Sequence, residues 1–155
     1  MAALEREFLS QVPVEGDQFA LYQRALHVFT EAKRVYDFEG VCASDGPEAL
    51  ARLGALMNAS QDSCRDRFAC SCPELDDLTS TARTMGALGS RLTGAGWGGC
   101  TVSLVREGTQ DSFIADLLAT YYPSHGGLKA HAAADVVFAT LPGSGACIVE
   151  SAAIP

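Results

Sequence analysis

Four glycines within six positions, Gly94, Gly96, Gly98 and Gly99, interrupt the segment Gly89-Ser-Arg-Leu-Thr-Gly94-Ala-Gly96-Trp-Gly98-Gly99-Cys100. Glycine takes φ > 0 without penalty, so the backbone can turn sharply here and approach another group closely. Ser90-Arg91-Leu92-Thr93 before the cluster reads as a short strand, and Cys100–Val105 after it alternates and is rich in β-branched residues. Strand, short connection, strand predicts an antiparallel hairpin. Successive N–H groups in such a turn can converge as a nest for an anion, which is the chemical case for a phosphate neighbour. A glycine-rich turn with no ligand is the competing reading, and spacing alone does not separate the two. Gly94, Gly96 and Gly99 match G-x-G-x-x-G literally, but a strand follows where the dinucleotide fingerprint needs a helix. No G-x-x-x-x-G-K-[ST] occurs, so this is no P-loop. Trp97, the only tryptophan, is expected to pack beneath the loop.

The rest of the chain supplies helices and further strands. Residues 1–16 form a short leading segment broken at Pro13 and Gly16, and Asp17 can cap the first helix. Leu21, Tyr22, Ala25, Val28, Phe29, Ala32, Val35 and Tyr36 recur at three- and four-residue steps and predict one buried helical face, ending near Phe38 and stopped by Gly40. A second helix opens at Pro47, buries Leu50, Leu53, Leu56 and Met57 and reaches Asn58 or somewhat past it, and the polar stretch Ser60–Phe68 either extends it or forms a loop. Ser71-Cys-Pro-Glu74 is a capping box for a third, with Leu75, Leu78, Ala82 and Met85 inward and Gly86 or Gly89 at its end. A fourth begins after Thr109, buries Phe113, Ile114, Leu117, Leu118 and Tyr121, and stops before Pro123. Val136–Leu141 and Ala146–Val149, joined by Pro142-Gly-Ser-Gly145, predict a second hairpin. The expected fold is α+β: a ferredoxin-like four-stranded antiparallel sheet, helices on one face, and an N-terminal helical pair. Its domain would span residues 17–155.

Composition narrows the function. The 155 residues suit one domain, and a 48% hydrophobic content can build a core. A formal charge of −8 with no basic stripe argues against nucleic acid. No apolar run approaches the ~18 residues of a bilayer span, and Glu5, Arg6 and Glu7 interrupt any export signal, so a cytoplasmic protein without a membrane partner is expected. Six cysteines contain no C-x-x-C pair, which favours reduced, half-buried thiols over a zinc site, and no metal ligands are assigned. His27 falls beside the buried face of the first helix as a packed histidine, and no Ser-His-Asp set can be built.

A second polar tract, Asn58-Ala-Ser60-Gln-Asp-Ser63-Cys-Arg65-Asp66, gathers hydroxyls, an amide and a guanidinium after an apolar helix. Ser60 and Ser63 would share a helical face, and Arg65 could clamp a phosphate or carboxylate in two-pronged fashion. The alternative is a solvated helix end with Arg65 paired to Asp62 or Asp66.

The string GSRLTGAGWGGCTVSLV closely resembles the third motif of galactokinases, a branch of the GHMP small-molecule kinases. LGALMNASQDSCRDRFACSCPELDDL resembles the same branch through its M-N-x-S-x-x-S-x-R-D and S-C-P-E-L-D patterns, LYQRALHVFTEAKRV its preceding helix, and VFATLPGSGACIVE its last hairpin. The likeness runs from about residue 17 to 150, and Ser90, Leu92 and Trp97 lean toward the N-acetylgalactosamine kinase subgroup.

The resemblance implies ATP- and Mg²⁺-dependent phosphorylation of the anomeric hydroxyl of galactose or N-acetylgalactosamine, a transfer that depends on positioning and charge neutralisation. By the same likeness Gly94, Ala95, Gly96, Gly98 and Gly99 form a backbone wall beside the phosphates, and Ser60 to Arg65 line the cleft between two domains. The sugar motif resembling G-R-V-N-L-I-G-E-H and the serine-rich loop resembling P-x-x-x-G-L-S-S-S-A do not occur in these residues, and the family's base is assigned to that half as well. The expectation is therefore the C-terminal domain of a sugar kinase, from a truncated gene model, an isoform or a fragment. Alone it would bind no cofactor tightly, catalyse no transfer and tend to self-associate through the face meant for its partner domain. A non-catalytic sugar- or nucleotide-sensing or partner-binding module is the alternative.

Overall fold

The computed structural model of the chain describes residues 19–44, 46–126, 133–141 and 143. In chain order it has α1 (Leu21–Cys42), α2 (Ala49–Ser63), a π-helical turn (Cys64–Phe68), α3 (Pro73–Thr84), β1 (Gly89–Thr93), β2 (Cys100–Leu104), α4 (Gln110–Ser124) and α5 (Ala133–Val136). β1 and β2 form the expected antiparallel hairpin, with Gly89 opposite Leu104 and Thr93 opposite Cys100. No helix among the described residues is long and apolar enough to cross a membrane.

The α+β character holds, but the four-stranded sheet does not appear among the described residues, where the sheet has two strands. Ala133–Val136 is a helical turn and residues 137–141 are not a strand, contrary to the expected strand at 136–141. Phe138 and Leu141 lie 70% and 82% exposed. No described strand runs beside them, and alternation without a ladder partner makes no sheet. The expected strand Ala146–Val149 and most of its turn, like Asp17 and the leading segment, lie outside the described residues.

Two apolar clusters hold the body together. Ala82 and Ala87 pack with Phe113, Leu117 and Tyr121 between α3 and α4, joined by Leu78, Met85 and Ile114. Leu75 and Leu92 pack with Cys64 and Cys70 beneath the hairpin. α2 crosses β1 at a glycine pair: a Cβ on Gly54 would overlap Leu88, and one on Gly89 would overlap Gly54. Backbone meets backbone there because neither residue has a side chain.

Several expected boundaries move, each for a local reason. α1 runs through Gly40 to Cys42 because Val41 is buried, and Val41 at 2% exposure outweighs the roughly 1 kcal/mol cost of a helical glycine. α2 opens at Ala49 instead of Pro47, and of the two expected courses beyond Asn58 it takes the helical one to Ser63, because Ser60, Gln61 and Ser63 find buried partners. α3 is capped at Cys72 with no side-chain bond, since the Ser71 hydroxyl donates to Asp76 Oδ1 (2.7 Å) instead of closing a capping box. α4 extends one residue past Pro123, and the Ser124 hydroxyl returns to the Tyr121 carbonyl (2.9 Å).

α1 is turned the opposite way from its pattern. Tyr22, Phe29 and Tyr36 are 73%, 75% and 73% exposed, with Val28 and Val35 also outward. Its polar side faces the body instead: His27 is buried, Arg24 lies over the Phe68 ring and donates to the Arg67 carbonyl, and Glu31 reaches α2 and β1. α2 is likewise buried through Gly54, Ser60, Gln61 and Ser63, while Leu50 is exposed.

Candidate functional site

The turn between β1 and β2 is built on left-handed backbone. Gly94, Gly96, Gly98 and Gly99 have φ of 84°, 89°, 136° and 89°, and Trp97 has φ 55°. Residues Thr93–Cys100 line a shallow depression that is largely open to solvent. A Cβ on Gly94, Gly98 or Gly99 would meet nothing within 4 Å. The backbone at these three positions is bare toward solvent, as close approach of a ligand requires.

Gly96 is different. A Cβ there would overlap the Cys70 carbonyl oxygen, so its missing side chain serves packing against the link between the π turn and α3. The Trp97 amide donates to the same Cys70 oxygen (2.6 Å), and the indole Nε1 donates to the Ala69 oxygen (3.0 Å). Ala69 and Trp97 are the non-glycine residues with positive φ among the described residues, and they face one another across this contact. A bulky residue in the left-handed region costs on the order of 1–2 kcal/mol, which the paired bonds offset. Trp97 does not pack beneath the loop as expected: the ring is 64% exposed and only its nitrogen is tied down.

β1 is held from its outer edge by α2. Asn58 Nδ2 donates to the Leu88 oxygen (3.1 Å), and Asn58 Oδ1 accepts from the Ser90 amide (3.0 Å). Gln61 Oε1 accepts from the Leu92 amide (2.8 Å). Two amide side chains three residues apart on one helical face thus do for β1 what a third strand would do. Both residues lie in the polar tract 58–66 singled out in the sequence, but a role at the edge of a strand was not expected of either. The available signal was their three-residue spacing opposite alternate amides of a strand with one ladder partner.

Ser60 and Ser63 do share a face, and it is the buried one. Ser60 Oγ donates to Glu31 Oε1 (2.5 Å), and that carboxylate also pairs with Arg34 (2.5 Å) and Arg91 (3.5 Å). Ser63 Oγ bonds His27 Nδ1 (3.0 Å), and the imidazole stacks on Phe68 at 4.7 Å. Burial, the main cause, holds His27 below its ordinary pKa against the opposing pull of Glu31. His27 is packed, as expected, but on the polar side of α1 that faces the body, and not beside a buried apolar stripe.

Arg65 lies on the π turn, forked onto Asp66 (Nε–Oδ1 2.7 Å, Nη2–Oδ2 3.0 Å) with Asp62 at 3.3 Å. Its bond to Asp66 raises its pKa and lowers that of Asp66. No described contact joins Arg65 to the glycine loop. Cys64 and Cys70 are free thiols under the loop anchor, and burial pushes Cys64 up to about 11, where it is a poor nucleophile at neutral pH. The described part of the site is therefore a backbone site: a left-handed turn with open Cβ space at Gly94, Gly98 and Gly99, anchored at Trp97 and framed by two carboxamides. A glycine-rich turn with left-handed backbone is the kind of segment whose N–H groups can converge on an anion. Among the described residues no group of three or more His, Cys, Asp or Glu converges, so no Mg²⁺ ligand is assigned to them.

Residues 43–123 match the model of the C-terminal region of GHMP kinases. The galactokinase of Dictyostelium discoideum is 44% identical over 93% of this chain and 32% of its own length. That of Saccharomyces cerevisiae is 37% identical over 94% of this chain and 29% of its own. Among solved structures, Lactococcus lactis galactokinase complexed with galactose superposes with a TM-score of 0.62 at 32% identity, covering 79% of this chain and 31% of that one. The chain spans about a third of the length of these relatives. On this evidence the chain belongs to the GHMP kinase family, in the company of galactokinases, and carries the family's C-terminal domain.

Proposed function

We propose that this chain is the C-terminal domain of a cytoplasmic, ATP-dependent sugar-1-kinase that acts on galactose or N-acetylgalactosamine. In this reading an N-terminal domain supplies the sugar pocket, the main nucleotide loop and the base. The observation that carries it is the left-handed, solvent-open turn at Gly94, Gly98 and Gly99, in a chain whose relatives are galactokinases. Phosphoryl transfer spreads negative charge over the equatorial oxygens, and fixed backbone amides stabilise that charge without reorganising. Gly94, Ala95, Gly98 and Gly99 would face the phosphates, while Gly96 and Trp97 keep the turn in place. Mg²⁺, when bound, neutralises phosphate charge. Ser60 acts from behind this turn, through Glu31 and Arg91 on β1, whereas Arg65 is paired with Asp66 and Asp62 and makes no described contact with it. The exposed apolar surface at Trp97 and along α1 is the one turned toward the partner domain, and the isolated chain self-associates through it.

The test replaces the matching C-terminal third of the Dictyostelium galactokinase with this chain. ADP release is followed with galactose and with N-acetylgalactosamine, for the fusion and for the chain alone. Sugar-dependent turnover by the fusion, none by the chain alone, and a loss of about tenfold on Gly98→Ala support the reading. A folded fusion with no turnover on either sugar, or full activity in Gly98→Ala, overturns it.

A further inference from the structure

Gln61 is fully buried, and a buried amide is costly unless its hydrogen bonds are made. It makes three. Oε1 accepts from the Leu92 amide (2.8 Å), and Nε2 donates to Asp76 Oδ1 (2.9 Å) and Ser71 Oγ (3.1 Å). The orientation follows from chemistry, since only the oxygen can accept from an N–H and only the nitrogen can donate to a carboxylate. These partners belong to the two sides on which the glycine loop hangs. Leu92 is the last buried residue of β1 before the loop begins. Ser71 follows Cys70, whose carbonyl takes the Trp97 amide and abuts Gly96.

We propose that Gln61 is the positioning residue of the glycine loop, its one amide tying the strand that enters the loop to the segment on which Trp97 and Gly96 are anchored. A shift of either side moves the Cys70 oxygen relative to Leu92 and so changes the course of the loop backbone between them. Gln61 touches no ligand in this scheme and acts only through the loop. Its kinetic consequence rests on the phosphate-wall reading above, whereas its effect on Trp97 does not.

The test uses the single tryptophan as a reporter. Gln61→Glu keeps an acceptor for the Leu92 amide but sets a carboxylate against Asp76, so it breaks one side of the tie selectively. Gln61→Glu combined with Asp76→Asn restores the bond with donor and acceptor exchanged. In this chain, Gln61→Glu should lower the fluorescence anisotropy of Trp97 while far-ultraviolet circular dichroism stays unchanged, and the double variant should recover it. In the fusion, kcat should fall about tenfold to a hundredfold with the KM for sugar unchanged, again recovering in the double variant. Should Gln61→Glu not fold, Ser71→Ala removes the milder half of the same tie and should loosen Trp97 in the same sense. Unchanged anisotropy in a folded Gln61→Glu or Ser71→Ala chain, or no recovery in the double variant, overturns the proposal. A loosened Trp97 with full turnover supports Gln61 as the anchor and refutes the phosphate wall instead.

Discussion

Gly94 and Gly96 share a left-handed backbone, yet a methyl group would do different things at each. At Gly94 (φ 84°) it projects into open space, so Gly94→Ala carries only the conformational cost of about 1–2 kcal/mol. At Gly96 it also strikes the Cys70 carbonyl, so Gly96→Ala should cost roughly 2–5 kcal/mol. Urea denaturation of the two variants distinguishes them, and equal losses would mean that the Cys70 contact is not formed. His27 gives a prediction in pH. Burial depresses its pKa in the folded chain, so the folded state holds fewer protons than the unfolded one once the pH drops below about 6.5. The contribution is present in full above that value and is lost as the pH falls toward the lower folded pKa. Stability should therefore decline as the pH falls through and below about 6.5. His27→Gln should flatten that part of the profile, and an identical slope in the variant assigns it to other groups.

At the scale of elements, α2 shows how a polar stretch becomes a structural spine. Ser60, Gln61 and Ser63 read as a continued helix with a shared polar face or as a solvated end or loop, and all three are buried with partners on α1, β1 or the α3 side. Asn58 and Gln61 complete the outer edge of β1. Asn58→Ala should cost about 1–3 kcal/mol, because it leaves the Leu88 carbonyl and the Ser90 amide without their partner. Hydrogen exchange at the Ser90 amide should speed up while that of Leu92, held by Gln61, changes less. Equal acceleration at both amides would show that the edge opens as one unit. α1 teaches a related point. Tyr22, Phe29 and Tyr36 share a face as their spacing requires, but period alone does not say which face is inward. His27, Glu31 and Arg34 decided it, because the surface that α2 offers at that point is hydroxyl-bearing and charged pairs form across it.

For the whole molecule, the outward aromatic stripe of α1 and the exposed Trp97 ring leave an unusual amount of apolar surface uncovered. Self-association of the isolated chain should strengthen with added salt, since screening weakens repulsion between copies that each carry a formal charge of −8. Phe29→Glu should reduce it, and a monomer at every salt concentration by sedimentation velocity would exclude this surface. Much of the architecture was legible in advance. The β1–β2 hairpin, the inward faces of α3 and α4 and the glycine turn follow from short-range periods and from the glycine pattern, and the structure has them where the residues put them. The resemblance to a kinase branch likewise rested on local strings that the comparisons matched. What the chain could not announce was which groups meet. That Gly96 serves Cys70 while Gly98 faces open space, that two carboxamides close the edge of β1, and that α1 points its aromatics outward all depend on residues 20 to 60 positions apart coming into contact. Local pattern sets the conformation of a segment through its own backbone and neighbours. Burial and hydrogen-bond satisfaction are settled only when distant segments compete for the same interior, and that competition is a property of the folded molecule.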